Sequence, residues 1–342
     1  MKVVTFGEIM LRLAPPGFQR FTQARSFEAS YGGGEANVAV SLANYGEAVE
    51  FVTRLPKNEL GEACLSTLRG CGVGTHSIVR GGDRIGIYFL EAGAAQRASK
   101  VIYDRAGSSF AAIEPGMVDW KSAFAGADWF HWTGITPAVS RGAAEACREA
   151  IGVARELGLT VSCDLNYRAK LWKWGRPAGE VMAELVGLCQ VALGNEEDAD
   201  KVFGIRAEGT SVSDGHVESA GYADVAEQLA RRFPRLRVVA FTQRGSISAS
   251  ENTWSGVLWT PDTFVVARTW RIAPIVDRVG AGDAFAAGLI TALADGLSPA
   301  DAIEFAVAAG CLKHSLRGDV NLVSRAEVEA LAGGSGAGRV ER

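Results

Sequence analysis

An aspartate placed where a chain gathers unpaired backbone N–H groups is equipped for work on phosphate. Residues 277–288 read DRVGAGDAFAAG, and Asp283 follows Gly280, Ala281 and Gly282 at the head of an apolar run, Ala284 to Leu293, patterned as a helix. The first turn of a helix has N–H groups without intrahelical partners, and its aligned peptide dipoles favour negative charge. Two glycines remove the side chains that would keep a phosphate off the backbone. A carboxylate beside that cradle suits a base that takes a proton from an attacking hydroxyl while the N–H groups hold charge on a transferring phosphoryl group. Asp is also a preferred helix cap, so the same residues would serve as a plain helix start in a chain with 41 glycines. Neither a G-x-x-x-x-G-K-[ST] loop nor a G-x-G-x-x-G turn occurs anywhere, so if nucleotide phosphates bind, 280–283 is the best candidate place, and a nicotinamide-dependent dehydrogenase is disfavoured.

Something must position this turn. Short apolar runs alternate with helical patterns along the chain. The strand candidates are Val3–Ile9, Ala48–Thr53, Ala127–Trp132, Thr160–Asp164, Val191–Leu193 and Val238–Thr242. Between them lie the helical candidates Ala36–Tyr45, Glu59–Leu68, Arg141–Leu157, Ala178–Leu188 and Tyr222–Arg232. That alternation predicts an α/β fold with a mostly parallel sheet covered on both faces. Residues 12–31, with Pro15-Pro16-Gly17, and residues 83–105, with strands Ile85–Leu90 and Lys100–Tyr103, break the rhythm. Both would leave the sheet at the C-terminal edges of its first strands, where ligands of open α/β sheets bind, so a small β lid is expected. The predicted division is residues 1–11, 32–82 and 106–325 for the α/β domain, 12–31 and 83–105 for the lid, and 326–342 for a flexible tail.

Composition narrows the partners. With 48% hydrophobic and 22% charged residues the chain of 342 is globular in type. A net charge of −4 without a long basic run argues against nucleic acid. No apolar stretch is long enough to span a membrane, and MKVVTFGEIM is too short and interrupted for a secretory signal, so a cytoplasmic protein without a membrane partner is expected. Six cysteines without a C-x-x-C pair read as buried free thiols, and four dispersed histidines give no zinc site.

DRVGAGDAFAAG resembles the C-terminal signature of the ribokinase-like sugar kinases, the PfkB family, and YGGGEANVAVSLANYG at 31–46 resembles that family's N-terminal glycine motif. The resemblance implies a ribokinase-like three-layer α/β/α fold with a mostly parallel central sheet and a small β-sheet lid, using ATP and Mg²⁺. By it, Asp283 is the catalytic base, and Gly280, Ala281 and Gly282 form the anion hole for the γ-phosphate. Asp277 begins a loop that in many relatives holds a monovalent cation such as K⁺. Gly33, Gly34 and Asn37 face the sugar. On the nucleotide side it implies Asn166, Asn195, Thr242 and Gly245. LGNEEDAD at 193–200 has Asp198 where the family carries Glu, so either Asp198 or Glu197 orders the Mg²⁺ shell, and Asn195 is equally a good helix cap.

IYDRAGS at 102–108, WTGITPA at 132–138, DLNYRAKLW at 164–172 and CLKHSLRGDVNLV at 311–323 resemble the subgroup that phosphorylates 2-keto-3-deoxygluconate. That implies Tyr103, Arg105 and Arg168 at a sugar acid. Arginine suits the task, because its planar guanidinium gives paired, charge-assisted hydrogen bonds to a carboxylate. Tyr88 either touches substrate or packs the lid, and Asp319 either lies near the sugar or serves a turn. The expected reaction is phosphorylation of the terminal C6 hydroxyl. Its rivals are a neutral acceptor such as ribose, fructose or a nucleoside, for which Arg105 and Arg168 would be unimportant, and a non-catalytic sugar-acid sensor. Nothing in the sequence separates the gluconate from the galactonate epimer. Exposed lid edges predict a homo-oligomer.

Overall fold

Runs such as Val3, Val4 and Phe6, or Trp129, Phe130 and Trp132, have no polar face, and each lies deep in a central sheet with helices on both sides. The structure is a computed structural model that describes residues 1–207 and 219–335. Six strands run parallel in the order Ala48–Val52, Lys2–Phe6, Trp129–Thr133, Thr160–Asp164, Val191–Gly194 and Val238–Ser248. Glu251–Thr260 then joins antiparallel, and both Thr263–Val266 and Trp270–Ile272 pair with it.

One core packs the helices Gly34–Asn44, Ala281–Ala294 and Pro299–Lys313 against the sheet; the other packs Arg141–Glu156, Ala178–Val186 and Ser219–Arg232. Cys64 is buried in the first core, and Cys147, Cys163 and Cys189 in the second; Cys71 and Cys311 are half-buried, and all six thiols are free. No helix among the described residues is long and apolar enough to cross a membrane.

A second sheet of four strands has the order Glu28–Gly32, Met10–Ala14, Gly86–Glu91 and Lys100–Asp104. Its middle pair is parallel and its outer pairs antiparallel. The first central strand, expected to reach Ile9, stops at Phe6, and the chain resumes at Met10 in the small sheet. Gly7 makes the exit feasible, since a Cβ there would fall 2.1 Å from the Glu35 carboxylate.

The strand expected to end at Thr242 runs on to Ser248 as half of a long hairpin. The flexible tail expected from residue 326 does not begin there. Residues 326–332 belong to the helix Arg325–Ala332, fixed by a Ser324–Glu327 capping box and by Val328 and Leu331 in the first core. Residues 336–342 lie outside the described part of the chain.

Candidate active site

The parallel strands point their C-terminal ends into a cleft of about 1120 Å³. Asp164, Gly194 and Thr242 form its floor, Tyr88 and Tyr103 of the small sheet one wall, and the start of helix Ala281–Ala294 its end.

Gly280 caps that helix in a left-handed conformation, φ 85°, and a Cβ on it would fall 1.9 Å from the Asp319 carbonyl oxygen. Only glycine fits there. The Cβ direction of Gly282 is open for 4 Å, so a phosphate can come close to the backbone. Asp283 follows, half-buried, and its Oδ2 accepts a 2.7 Å hydrogen bond from Asn37 Nδ2, 246 residues away in sequence. Asn37 Oδ1 in turn accepts the Gly33 N–H at 3.2 Å, and a Cβ on Gly34 would lie 3.7 Å from Asp283 Oδ1. The two glycine motifs therefore meet across the cleft. Burial pushes the Asp283 carboxyl up to about 6; the Asn37 bond, Arg168 and Lys313 restrain the rise, while Asp319 adds to it. Such a group is ionised at neutral pH and still basic enough to accept a proton.

Asp164, at the end of its strand, was not singled out by the sequence reading, although strand ends of this kind are where sites form. Its carboxyl is pushed up to about 8, by burial first and then by the Asp198 and Asp283 carboxylates, against the pull of Arg168. Asp198 itself is buried. Its oxygens accept the Tyr167 N–H at 2.9 Å and the Asn195 N–H at 3.0 Å, and Asn195 Oδ1 accepts the Asp198 N–H at 2.9 Å. That is a capping box on helix Glu196–Phe203, and it also ties down the loop carrying Asn166 and Arg168. Asn166 holds a positive φ of 34°, and among the described residues its buried Oδ1 has no partner at the cleft. Glu197 is exposed on the cleft wall.

Arg168 lines the cleft with an exposed guanidinium, one nitrogen of which donates to the Tyr167 carbonyl at 3.1 Å. Tyr103 stands half-exposed beside Tyr88, ring centroids 6.0 Å apart, and the Tyr88 hydroxyl donates to Asp319. Gly33, Gly34, Asn195, Thr242, Gly245, Ala281 and Asp319 also border the cleft.

Two expectations need correction. Arg105 is not on the cleft wall: it is buried behind Tyr103, its Nε donates to Glu8 Oε2 at 2.8 Å, and Ser108 holds the other Glu8 oxygen. Asp277 does not offer its carboxylate to a cation, because Oδ2 accepts Arg12 at 2.6 Å and the Gly318 N–H at 3.2 Å, and Oδ1 accepts the Val279 N–H. Arg12 was missed altogether. From the small sheet it bridges Asp277 and Asp319, each at 2.6 Å. Also missed were Arg244 and Arg278, which flank the cleft next to Gly245 and Gly280; Arg278 donates to the Ser248 and Ala249 carbonyls, and burial together with Arg244 lowers its pKa.

The description pfkB family carbohydrate kinase matches residues 1–325. A 2-dehydro-3-deoxygalactonokinase of Haloferax volcanii is 32% identical over 342 residues, 98% of each chain. A 2-dehydro-3-deoxygluconokinase of Thermoproteus tenax is 28% identical over 93% of this chain and 90% of its own. The crystal structure of 2-dehydro-3-deoxygluconokinase from Thermotoga maritima is 47% identical and superposes with a TM-score of 0.92 over 98% of this chain and 100% of that one. A ribokinase-like fold, two glycine motifs joined at Asp283 and these matches over nearly the whole length lead to one conclusion: the chain belongs to the pfkB family of carbohydrate kinases, phosphotransferases with an alcohol group as acceptor.

Proposed function

We propose that the protein transfers the γ-phosphate of ATP to the C6 hydroxyl of 2-keto-3-deoxygluconate. The observation that carries the reading is Asp283, held by Asn37 at the open end of a glycine turn. Asp283 takes the C6 hydroxyl proton as the oxygen attacks the γ-phosphorus. The bond to the leaving ADP oxygen breaks, and the N–H groups of Gly280, Ala281 and Gly282 hold the charge on the transferring group. The proton then passes from Asp283 to solvent. Thr242, Gly245, Asn166 and Asn195 border the nucleotide, with Arg244 and Arg278 beside its phosphates.

The carboxylates fit a divalent cation. Asp164 resists ionisation because it is buried and because Asp198 and Asp283 add like charge, and a cation there relieves that repulsion. Asp164 would hold Mg²⁺, with Glu197 or Asp198 ordering its waters, and bound Mg²⁺ supplies neutralisation of phosphate charge. The Asp277 carboxylate does not fit K⁺, being taken by Arg12 and two N–H groups.

On the acceptor side Arg168 meets the sugar-acid carboxylate, with Tyr88, Tyr103 and Asp319 around the sugar. The small sheet acts as the lid. A second copy covers its outer face, where Phe27 and Ile102 are exposed, and the use of ATP supports a cytoplasmic protein. One finding favours the neutral-acceptor reading: Glu8 neutralises Arg105, which leaves a single arginine for the carboxylate.

ADP release with ATP and Mg²⁺ decides between them, comparing 2-keto-3-deoxygluconate, its galactonate epimer, ribose, fructose and adenosine. Turnover confined to the sugar acids, with KM raised by Arg168→Met, supports the proposal. Turnover of a neutral acceptor alone removes the role of Arg168. Asp283→Asn should lower kcat about 100-fold or more with nucleotide binding retained, and an active variant would sink the kinase mechanism.

A further inference from the structure

Lys313, the last residue of helix Pro299–Lys313, has no solvent exposure, and among the described residues its ammonium has one hydrogen-bond partner, the Leu316 carbonyl at 3.1 Å. It takes no part in the proton transfer to Asp283. A buried ammonium is expensive to keep unless nearby charge compensates it. Burial does lower the Lys313 pKa, with Asp277, Asp319 and Asp283 acting against that and Arg12 adding to it. Its stem lies directly against the anion turn: a Cβ on Gly280 would fall 3.3 Å from Lys313 Cε.

The floor of the turn thus holds two acids, Asp277 and Asp319, and two cations, Arg12 and Lys313. The four charges cancel. Without Lys313 the floor carries a net negative charge beneath the place where a phosphoryl group must settle, next to the anionic Asp283. Charge repulsion in a partly desolvated site is felt far more strongly than in water. Backbone N–H groups at the helix start offer only partial positive charge to oppose it.

We propose that Lys313 is a positioning residue that keeps the floor of the anion turn electrically neutral, so that the turn can receive a γ-phosphate. The inference rests on the reading of Gly280–Gly282 as the γ-phosphate site. It assigns Lys313 a role distinct from that of a structural lysine, because its loss should be felt by the third phosphate and not by a nucleoside diphosphate.

The test uses Lys313→Gln, which keeps an amide donor for Leu316 and removes the charge, and Lys313→Met, which removes both. Both variants should still fold but melt below the wild-type temperature, since removing one member of a compensated buried charge cluster leaves charge unpaired. Their kcat should fall about tenfold or more, and the affinity for an imido-bridged ATP analogue should fall by a similar factor while that for ADP stays within about twofold. Unchanged kcat and analogue affinity would overturn the inference. So would equal losses for the analogue and ADP, or a Lys313→Gln protein that does not fold, because the charge would then serve the fold. An inactive Asp283→Asn beside an unaffected Lys313→Gln would sink this inference alone. Turnover retained by Asp283→Asn would remove the kinase reading beneath it.

Discussion

Asp283 and Asp164 are acids whose charged forms the fold disfavours, and this gives both a signature in pH. With the Asp283 carboxyl near 6, kcat should rise as pH climbs through about 6 and level above it. Stability moves the other way. A carboxyl raised on folding binds its proton more tightly in the native state, so its contribution falls as pH rises from the ordinary carboxylate range to the raised value. For Asp164 that window extends to about 8, and Asp164→Asn should raise Tm clearly at pH 8 and little at pH 4. Arg105→Met should instead destabilise by about 3 kcal/mol or more, because it leaves Glu8 buried and unpaired; chemical denaturation measures this. At this scale the sequence was legible where a residue belongs to a contiguous motif, as Asp283 does. It was silent on Arg12, whose partners stand 265 and 307 positions away, and on Lys313, whose helix it did not reveal.

The glycine turn Gly280–Gly282 is an element as well as a set of residues, and its shape depends on one backbone conformation. Gly280→Ala would place a methyl group against the Asp319 carbonyl at a positive φ, so the turn must deform. Activity should drop at least about 100-fold, with a loss of stability of about 1 kcal/mol or more, read by kinetics and thermal melting together. The parallel strands and most helices that carry this turn were visible in the alternation of apolar runs. Helix Pro299–Lys313 was not, because residues such as Ile303, Phe305, Ala306 and Val307 are buried on every side and leave no polar stripe to betray the period. The hairpin strand Glu251–Thr260 escaped for a related reason, since polar Asn252 and Ser255 are buried along with Trp254 and Leu258 and blur the two-residue alternation. The last helix was masked by the glycine-rich residues that follow it.

At the scale of the molecule, the small sheet presents an outer edge strand, Lys100–Asp104, that is exposed throughout. Its Ile102 pairs in register with Phe89, whose ring lies 6.0 Å from that of the exposed Phe27. An apolar face on an unpaired edge invites a second copy. Ile102→Lys should shift the protein to a monomer in light scattering with kcat unchanged, and a wild-type monomer would remove the expectation. The cysteines carry a different consequence. Cys64 is sealed on one side of the central sheet and Cys147, Cys163 and Cys189 on the other, all without disulfides. Alkylation of the native protein can therefore be timed residue by residue. Modification of Cys64 records the opening of the layer behind the anion turn and modification of the other three that of the opposite layer, so the chain carries a separate chemical clock for each half of its unfolding.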